Sequence, residues 1–210
     1  MAAAPGSNRA FWQTRNGVLL ASAIVSSAAV WWVIAWPVAS FANIAAHQGH
    51  FMLTFAHMLG GSGMLIFGAA NLYLAARKTR FALHRRVGQL YLATGAFGAT
   101  TAIVVTLSAA HKSGLILTNS TLSLATLGSA WLVFAALGWR AGRNRRFASH
   151  GDWMIRSYVL SWAFVLCRFA SPVPEIGQLG GGQAFIWLSW VLPMMVCEIV
   201  LQWPQGARKG

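Results

Sequence analysis

Six long apolar runs joined by short polar connections constrain this chain more than any other feature. They are Gly17–Ala39, Leu53–Ala75, Val87–Ala110, Leu115–Trp139, Trp153–Ala170 and Ala184–Trp203. A helix needs about 20 mostly apolar residues to cross a bilayer, and each run is of that order. No soluble surface is left to these segments. Only 9% of the residues are charged, against about 25% in soluble domains. The acidic residues are just Asp152, Glu175 and Glu198. The sequence therefore predicts an all-α, polytopic bundle: one membrane domain over 17–203, with tails at 1–16 and 204–210.

The first run follows Arg9 and Arg15, as a signal peptide would. It is longer than the roughly 7–15 residues of an apolar signal core. Trp31, Trp32 and Trp36 mark its far end, as in an interfacial aromatic belt. It reads as a retained span.

The basic residues set the orientation. The formal net charge is +13, but the Lys and Arg are clustered between apolar runs, a distribution that excludes nucleic acid as the partner. The N-terminal tail, the connections at 77–86 and 140–146, and the C-terminal tail hold 13 of the 16. The opposite face has Lys112 alone, while Arg156 and Arg168 lie within the fifth run. Positive-inside asymmetry of this kind predicts a multi-pass membrane protein with both termini in the cytoplasm. Its partners are then the bilayer and, at the basic face, anionic lipid head groups.

The chain also repeats itself. Residues 75–84 read AARKTRFALH and residues 141–150 read AGRNRRFASH, identical at six of ten positions at an offset of 66. Each copy joins an inward-running span to an outward-running one. Spans two–three (about 53–110) and four–five (about 115–170) thus read as tandem hairpins. Gly60, Gly61, Gly63 and Gly68 in span two, with Gly88, Gly95 and Gly98 in span three, permit close helix contact or leave room for a flat cofactor. Asn119, Ser123 and Thr126 form an i, i+4, i+7 stripe that should face the bundle interior. Pro193 is expected to kink span six. Cys167 and Cys197 read as buried free thiols.

Ionisable groups in a bilayer are costly and call for an explanation. His84 and His150 occupy one position in the two repeats, each at the cytoplasmic mouth of a helix. Two His on facing helices suit the axial positions of haem iron, with Arg85, Arg86 and Arg156 neutralising propionates. They equally suit interfacial His beside anionic head groups. His57 and His111 form a candidate outer pair, or His57 bonds between helices. His47 and His50 read as a solvated loop. Arg156 and Glu198 fall at comparable depth in antiparallel spans, where an ion pair would keep both charges. No phosphate loop, GxSxG or HExxH motif is present.

These residues carry a resemblance. His57 with Gly60 and Gly61, then His84, Arg85, Gly88 and Tyr91, then His150, Trp153, Met154, Arg156, Ser157 and Tyr158, closed by Arg168, resemble the bacterial membrane-protein family called domain of unknown function 2306. The likeness covers roughly residues 50–170 and implies a helical membrane protein without assigning an activity. The His placement is similar to that of cytochrome b561-like and ferric-reductase-like bundles. The leading functional reading is a b-type haem protein that moves electrons, a quinone- or metal-reductase component. The alternatives are a non-enzymatic membrane subunit or assembly factor, and a small-solute or proton transporter using the Asn119 stripe, His57 and Glu198.

Overall fold

The computed structural model describes residues 51–78, 80–114, 118–170 and 183–202, and every element in them is helical. These elements are α1 (Phe51–Arg77), α2 (Phe81–Ser113), α3 (Asn119–Arg143), α4 (Phe147–Ser161), α5 (Ala163–Ala170) and α6 (Gln183–Gln202). Of these, α1, α2, α3 and α6 are long and apolar enough to cross a membrane. Span one, Gly17–Ala39, and His47 and His50 lie outside the described residues.

The helices overrun the apolar runs that predict them. The α2 helix starts at Phe81, six residues before Val87, so His84, Arg85 and Arg86 stand within its first turns. A hydropathy window sees only the apolar stretch. The helix itself continues into the interface, where long basic side chains snorkel to the polar layer. Span five begins six residues early, at Phe147, and is broken into α4 and α5 at Trp162. There the Trp162 amide donates to the Val159 carbonyl (3.1 Å) and Val165 to Trp162 (3.0 Å). Such i→i−3 bonds tighten the turn to 3₁₀ geometry. Pro193 lies inside α6, whose helical assignment runs through it unbroken.

Lipid offers no hydrophobic drive between helices, so contact depends on small residues and polar bonds. The first hairpin closes where α1 and α2 cross backbone to backbone. A Cβ at Gly60 would stand 2.6 Å from Gly98 Cα. The second hairpin pairs α3 with α4. Between the hairpins lies the core of Tyr91, Trp131, Met154, Tyr158 and Leu160. The Trp131 indole lies against Gly95, where any side chain would collide with it. Tyr91 meets Trp131 edge-on at 5.6 Å between centroids. The α6 helix docks on the second hairpin. It does so through three polar bonds: Trp190 Nε1 to Ser123 Oγ (3.0 Å), Cys167 Sγ to Ser189 Oγ (3.1 Å), and Arg156 with Glu198.

The stripe on α3 does not behave as a unit. Ser123 is fully buried, whereas Asn119 and Thr126 are exposed within the described residues. The buried side of α3 runs instead through Thr121, Ser123, Gly128, Trp131, Ala135 and Gly138. Packing around the bulky Trp131 fixes that rotation, and the polar spacing does not. Of the two thiols, Cys197 is buried and Cys167 half-buried, and both are free.

Candidate functional site at the basic end of the bundle

Each hairpin turns at its basic end through a short loop, and one turn later a histidine points back at the helix it has just left. His84 Nδ1 lies 3.2 Å from the Asn71 carbonyl of α1. His150 Nδ1 lies 2.8 Å from the Gly138 carbonyl of α3. A carbonyl only accepts, so in both rings Nδ1 carries the proton and donates. The neutral imidazole then keeps its lone pair on Nε2. Glycine makes room for the second contact: a Cβ at Gly142 would come within 3.0 Å of His150 Nδ1. Both rings are half-buried. The structure thus brings His84 and His150 to one end of the bundle in matched poses. Arg85 and Arg86 follow His84 immediately and are exposed.

Arg156 and Glu198 also come together. Arg156 donates from Nε to Glu198 Oε1 at 2.5 Å and from Nη2 to Oε2 at 3.0 Å. The guanidinium also covers the Trp153 ring, 4.8 Å from its centroid. Two-point bonding to a carboxylate takes Nε and one Nη2 hydrogen, so Glu198 is the partner that the structure gives Arg156.

The outer histidines are not brought together. His57 Nδ1 lies 2.9 Å from the Gly98 carbonyl, beside the Gly60–Gly98 crossing. His111 lies thirteen residues further along α2 than Gly98, about 20 Å up the axis at 1.5 Å per residue, and is exposed. Among the described residues there is no group of three or more His, Cys, Asp and Glu that could hold a metal ion.

Two features escape a reading of the sequence. The first is a buried polar seam between the hairpins. Tyr91 OH and Ser157 Oγ, 66 residues apart, lie 2.8 Å from each other. Ser157 donates to the Met154 carbonyl, Ser161 to the Ser157 carbonyl, and Trp131 Nε1 to Ser161 Oγ. Their equal offset to the repeat is the signal that would have found the Tyr91–Ser157 contact. The second is Asn71, 7% exposed, whose Oδ1 has no hydrogen-bond partner among the described residues. Its side chain abuts Gly88, one turn beyond His84. A lone amide in an apolar run is visible in sequence, but its place beside His84 is not.

A family model described as "Predicted membrane protein (DUF2306)" matches residues 54–201. No curated protein and no solved structure matches the chain. The matched segment takes in all of the motifs around His57, His84 and His150, together with the α6 residue Glu198 that holds Arg156. Covering well over half of the chain, it shows that this protein belongs to the DUF2306 family of membrane proteins.

Proposed function

We propose that this protein is a six-span carrier of electrons in a bacterial inner membrane, with both termini in the cytoplasm, in which His84 and His150 would hold the iron of one b-type haem. One observation carries the reading: both Nδ1 atoms are fixed on backbone carbonyls, at matching places in the two hairpins. A ring nitrogen bonded this way sets the tautomer and orients the ring, which is how metal-ligating histidines are commonly held. Two neutral imidazole nitrogens are a donor set that haem iron would accept. A bound haem supplies a reversible one-electron couple. The chain's own residues do the rest. His84 and His150 would hold the iron through Nε2, and Arg85 and Arg86, exposed beside His84, would offer cations to propionates at the basic end. A membrane quinone or a metal ion is the electron partner that such a site would serve.

Positive-inside asymmetry supports the orientation, and the apolar run Gly17–Ala39 together with the α4–α5 pair supports six spans rather than four. The transporter reading finds less support, because Glu198 is held by Arg156 and Asn119 is exposed at the start of α3. A membrane subunit or assembly factor is favoured by a different observation. The same two His–carbonyl bonds tie the hairpin ends together without any ligand.

Absorption spectroscopy on protein purified from haem-replete cells separates these readings. A Soret band present in the wild type and lost in both His84→Ala and His150→Ala is the expected result. A colourless wild type that stays colourless after haemin is added overturns haem ligation.

A further inference from the structure

A groove of about 520 Å³ runs between α2 and α3, the neighbouring helices of the two hairpins. Alanines on both sides create it: Ala93 and Ala96 on α2, Ala135 and Ala136 on α3. A methyl side chain cannot reach across to the facing helix, so space is left between the two. Trp131 and Trp139, eight residues apart on α3, border it over about 12 Å at 1.5 Å per residue. Among the described residues the groove is closed at Trp131 and Ala135, which are buried, and open at Ala93 and Ala136, which are exposed. Both helices are long and apolar enough to cross a membrane, so what enters this opening comes from the bilayer.

Gln89 is the polar member of the lining. It is exposed and lies eight residues into α2, about 12 Å along the axis from Phe81. Its amide has no hydrogen-bond partner among the described residues. Lipid tails offer none either, so an amide at this place needs a partner that hydrocarbon cannot supply. Trp131 does not provide it, because its indole N–H donates to Ser161. The two tryptophans bring ring surface instead. The Arg143 guanidinium lies 5.9 Å from the Trp139 ring centroid, which marks the Gln89 and Trp139 end of the groove as the basic one. Cavities that take small molecules have about 300–1,000 Å³, a mostly apolar lining and a few polar groups that fix orientation. The occupant that fits here is flat, apolar over most of its surface, and polar where Gln89 stands.

We propose that this groove binds the ring of a lipid-soluble quinone, with a ring oxygen on the Gln89 amide and the ring face on indole surface. The amide matches both forms of such a ring: its NH₂ donates to a quinone carbonyl, and its Oε1 accepts from a quinol hydroxyl. An electron-poor ring is attracted to the electron-rich face of an indole in an offset stack. The isoprenoid tail leaves into lipid past Ala93 and Ala136, on the open side. The choice of a redox-active occupant rests on the electron-carrier reading above; the groove and the unpartnered amide do not. Gln89 follows His84 by five residues, about 7.5 Å along α2, so the two are neighbours on one helix.

The test uses the full chain in phosphatidylcholine nanodiscs, with empty nanodiscs as the blank and binding read by isothermal titration calorimetry. The probes are a benzoquinone carrying one isoprene unit, and an aromatic hydrocarbon of the same ring and tail with methyl groups in place of the two carbonyl oxygens. The variants are Gln89→Leu, which suits a lipid-facing position and so keeps the fold, and Ala136→Phe, which fills the groove from an exposed position. Val133→Phe, exposed on α3 outside the groove, is the control. Gln89→Leu should weaken quinone binding about ten-fold, the effect of one hydrogen bond. The wild type should bind the hydrocarbon more weakly than the quinone by the same factor. Ala136→Phe should weaken both probes, and the control should bind as the wild type does. Equal binding of the two probes makes the groove a surface for lipid tails and overturns the quinone. Gln89→Leu binding like the wild type overturns the amide contact, and Ala136→Phe binding like the wild type overturns the place. Binding of neither probe means that the groove is covered in the full chain, and it overturns the site as well. Calorimetry reads no haem. A colourless protein that holds the quinone through Gln89 loses the haem and keeps the groove, and a red protein that binds no quinone does the reverse.

Discussion

Removing one partner of the Arg156–Glu198 pair should cost more than removing both in proportion, and the structure sets the scale. The bond is two-point, at 2.5 and 3.0 Å, with side-chain exposures of 14% for Arg156 and 41% for Glu198. A charge at the centre of a spanning helix costs about 2.5–3.5 kcal/mol on insertion scales, and less towards the interface. Neither residue is at the centre. Glu198 is about one turn from the end of α6, and Arg156 has a stem long enough to reach inward. Arg156→Leu and Glu198→Leu should therefore each lose about 2 kcal/mol of stability, part of it from stranding the other charge. The double change strands nothing and should lose about 2–3 kcal/mol in all, a coupling of about 1–2 kcal/mol. Arg156→Lys should fall between, since an ammonium can neither fork onto the carboxylate nor cover Trp153 as a guanidinium does. Reversible unfolding in mixed detergent micelles, read by helix content for all four proteins, measures the cycle. Single losses that add to the double within about 0.5 kcal/mol would mean that the two charges are not coupled.

Gly60→Ala should destabilise the first hairpin by about 2 kcal/mol or more, because its Cβ meets Gly98 backbone at 2.6 Å and backbone cannot yield. Gly98→Ala, with its nearest atoms at 3.0 Å, should cost less, and thermal unfolding in detergent ranks the two. Tyr91→Phe should cost only about 1 kcal/mol in the same assay, since Ser157 keeps the Met154 carbonyl as its acceptor. A cysteine placed at Asn144 in a chain with Cys167 and Cys197 replaced should resist impermeant thiol reagent in intact cells; labelling there would reverse the orientation. Arg145→Gly should raise the unfolding temperature of lipid-free protein, because glycine adopts φ near 58° without steric cost.

Run length and charge asymmetry made the helices readable, because lipid imposes both on any spanning chain. Helix rotation was harder to read. On α3 the polar spacing pointed to Asn119, Ser123 and Thr126, yet Trp131 against Gly95 sets which side is buried. Bulk opposite a glycine is a stronger constraint than a hydroxyl, which can satisfy itself on its own helix, as Thr94 does on the Leu90 carbonyl. The relative depth of His57 and His111 was legible, since His111 ends its apolar run whereas His57 lies inside its own. The 33-residue α2 helix carries His111 well beyond the crossing at Gly98, where His57 is bonded. The placement of Arg156 by Glu198 was legible because two unlike charges in apolar spans have few other ways to persist.

Where chemistry can occur follows from which polar atoms are already satisfied. In the Tyr91–Ser157–Ser161–Trp131 seam every proton has an acceptor within reach. Ser157 and Ser161 end on backbone carbonyls, so Tyr91 must donate to Ser157, and Trp131 donates to Ser161. A chain of donors that ends on carbonyls cannot pass a proton onward, since an amide carbonyl does not release one in turn. The seam therefore holds the hairpins in register and is not a conduit. At the basic end the accounting differs. Each of His84 and His150 spends Nδ1 on a carbonyl, and in the neutral form of such a ring the second nitrogen keeps a lone pair. Among the described residues, that asymmetry between a saturated centre and histidines with a remaining ring nitrogen makes the basic mouth of the bundle the place where a polar atom is left to react.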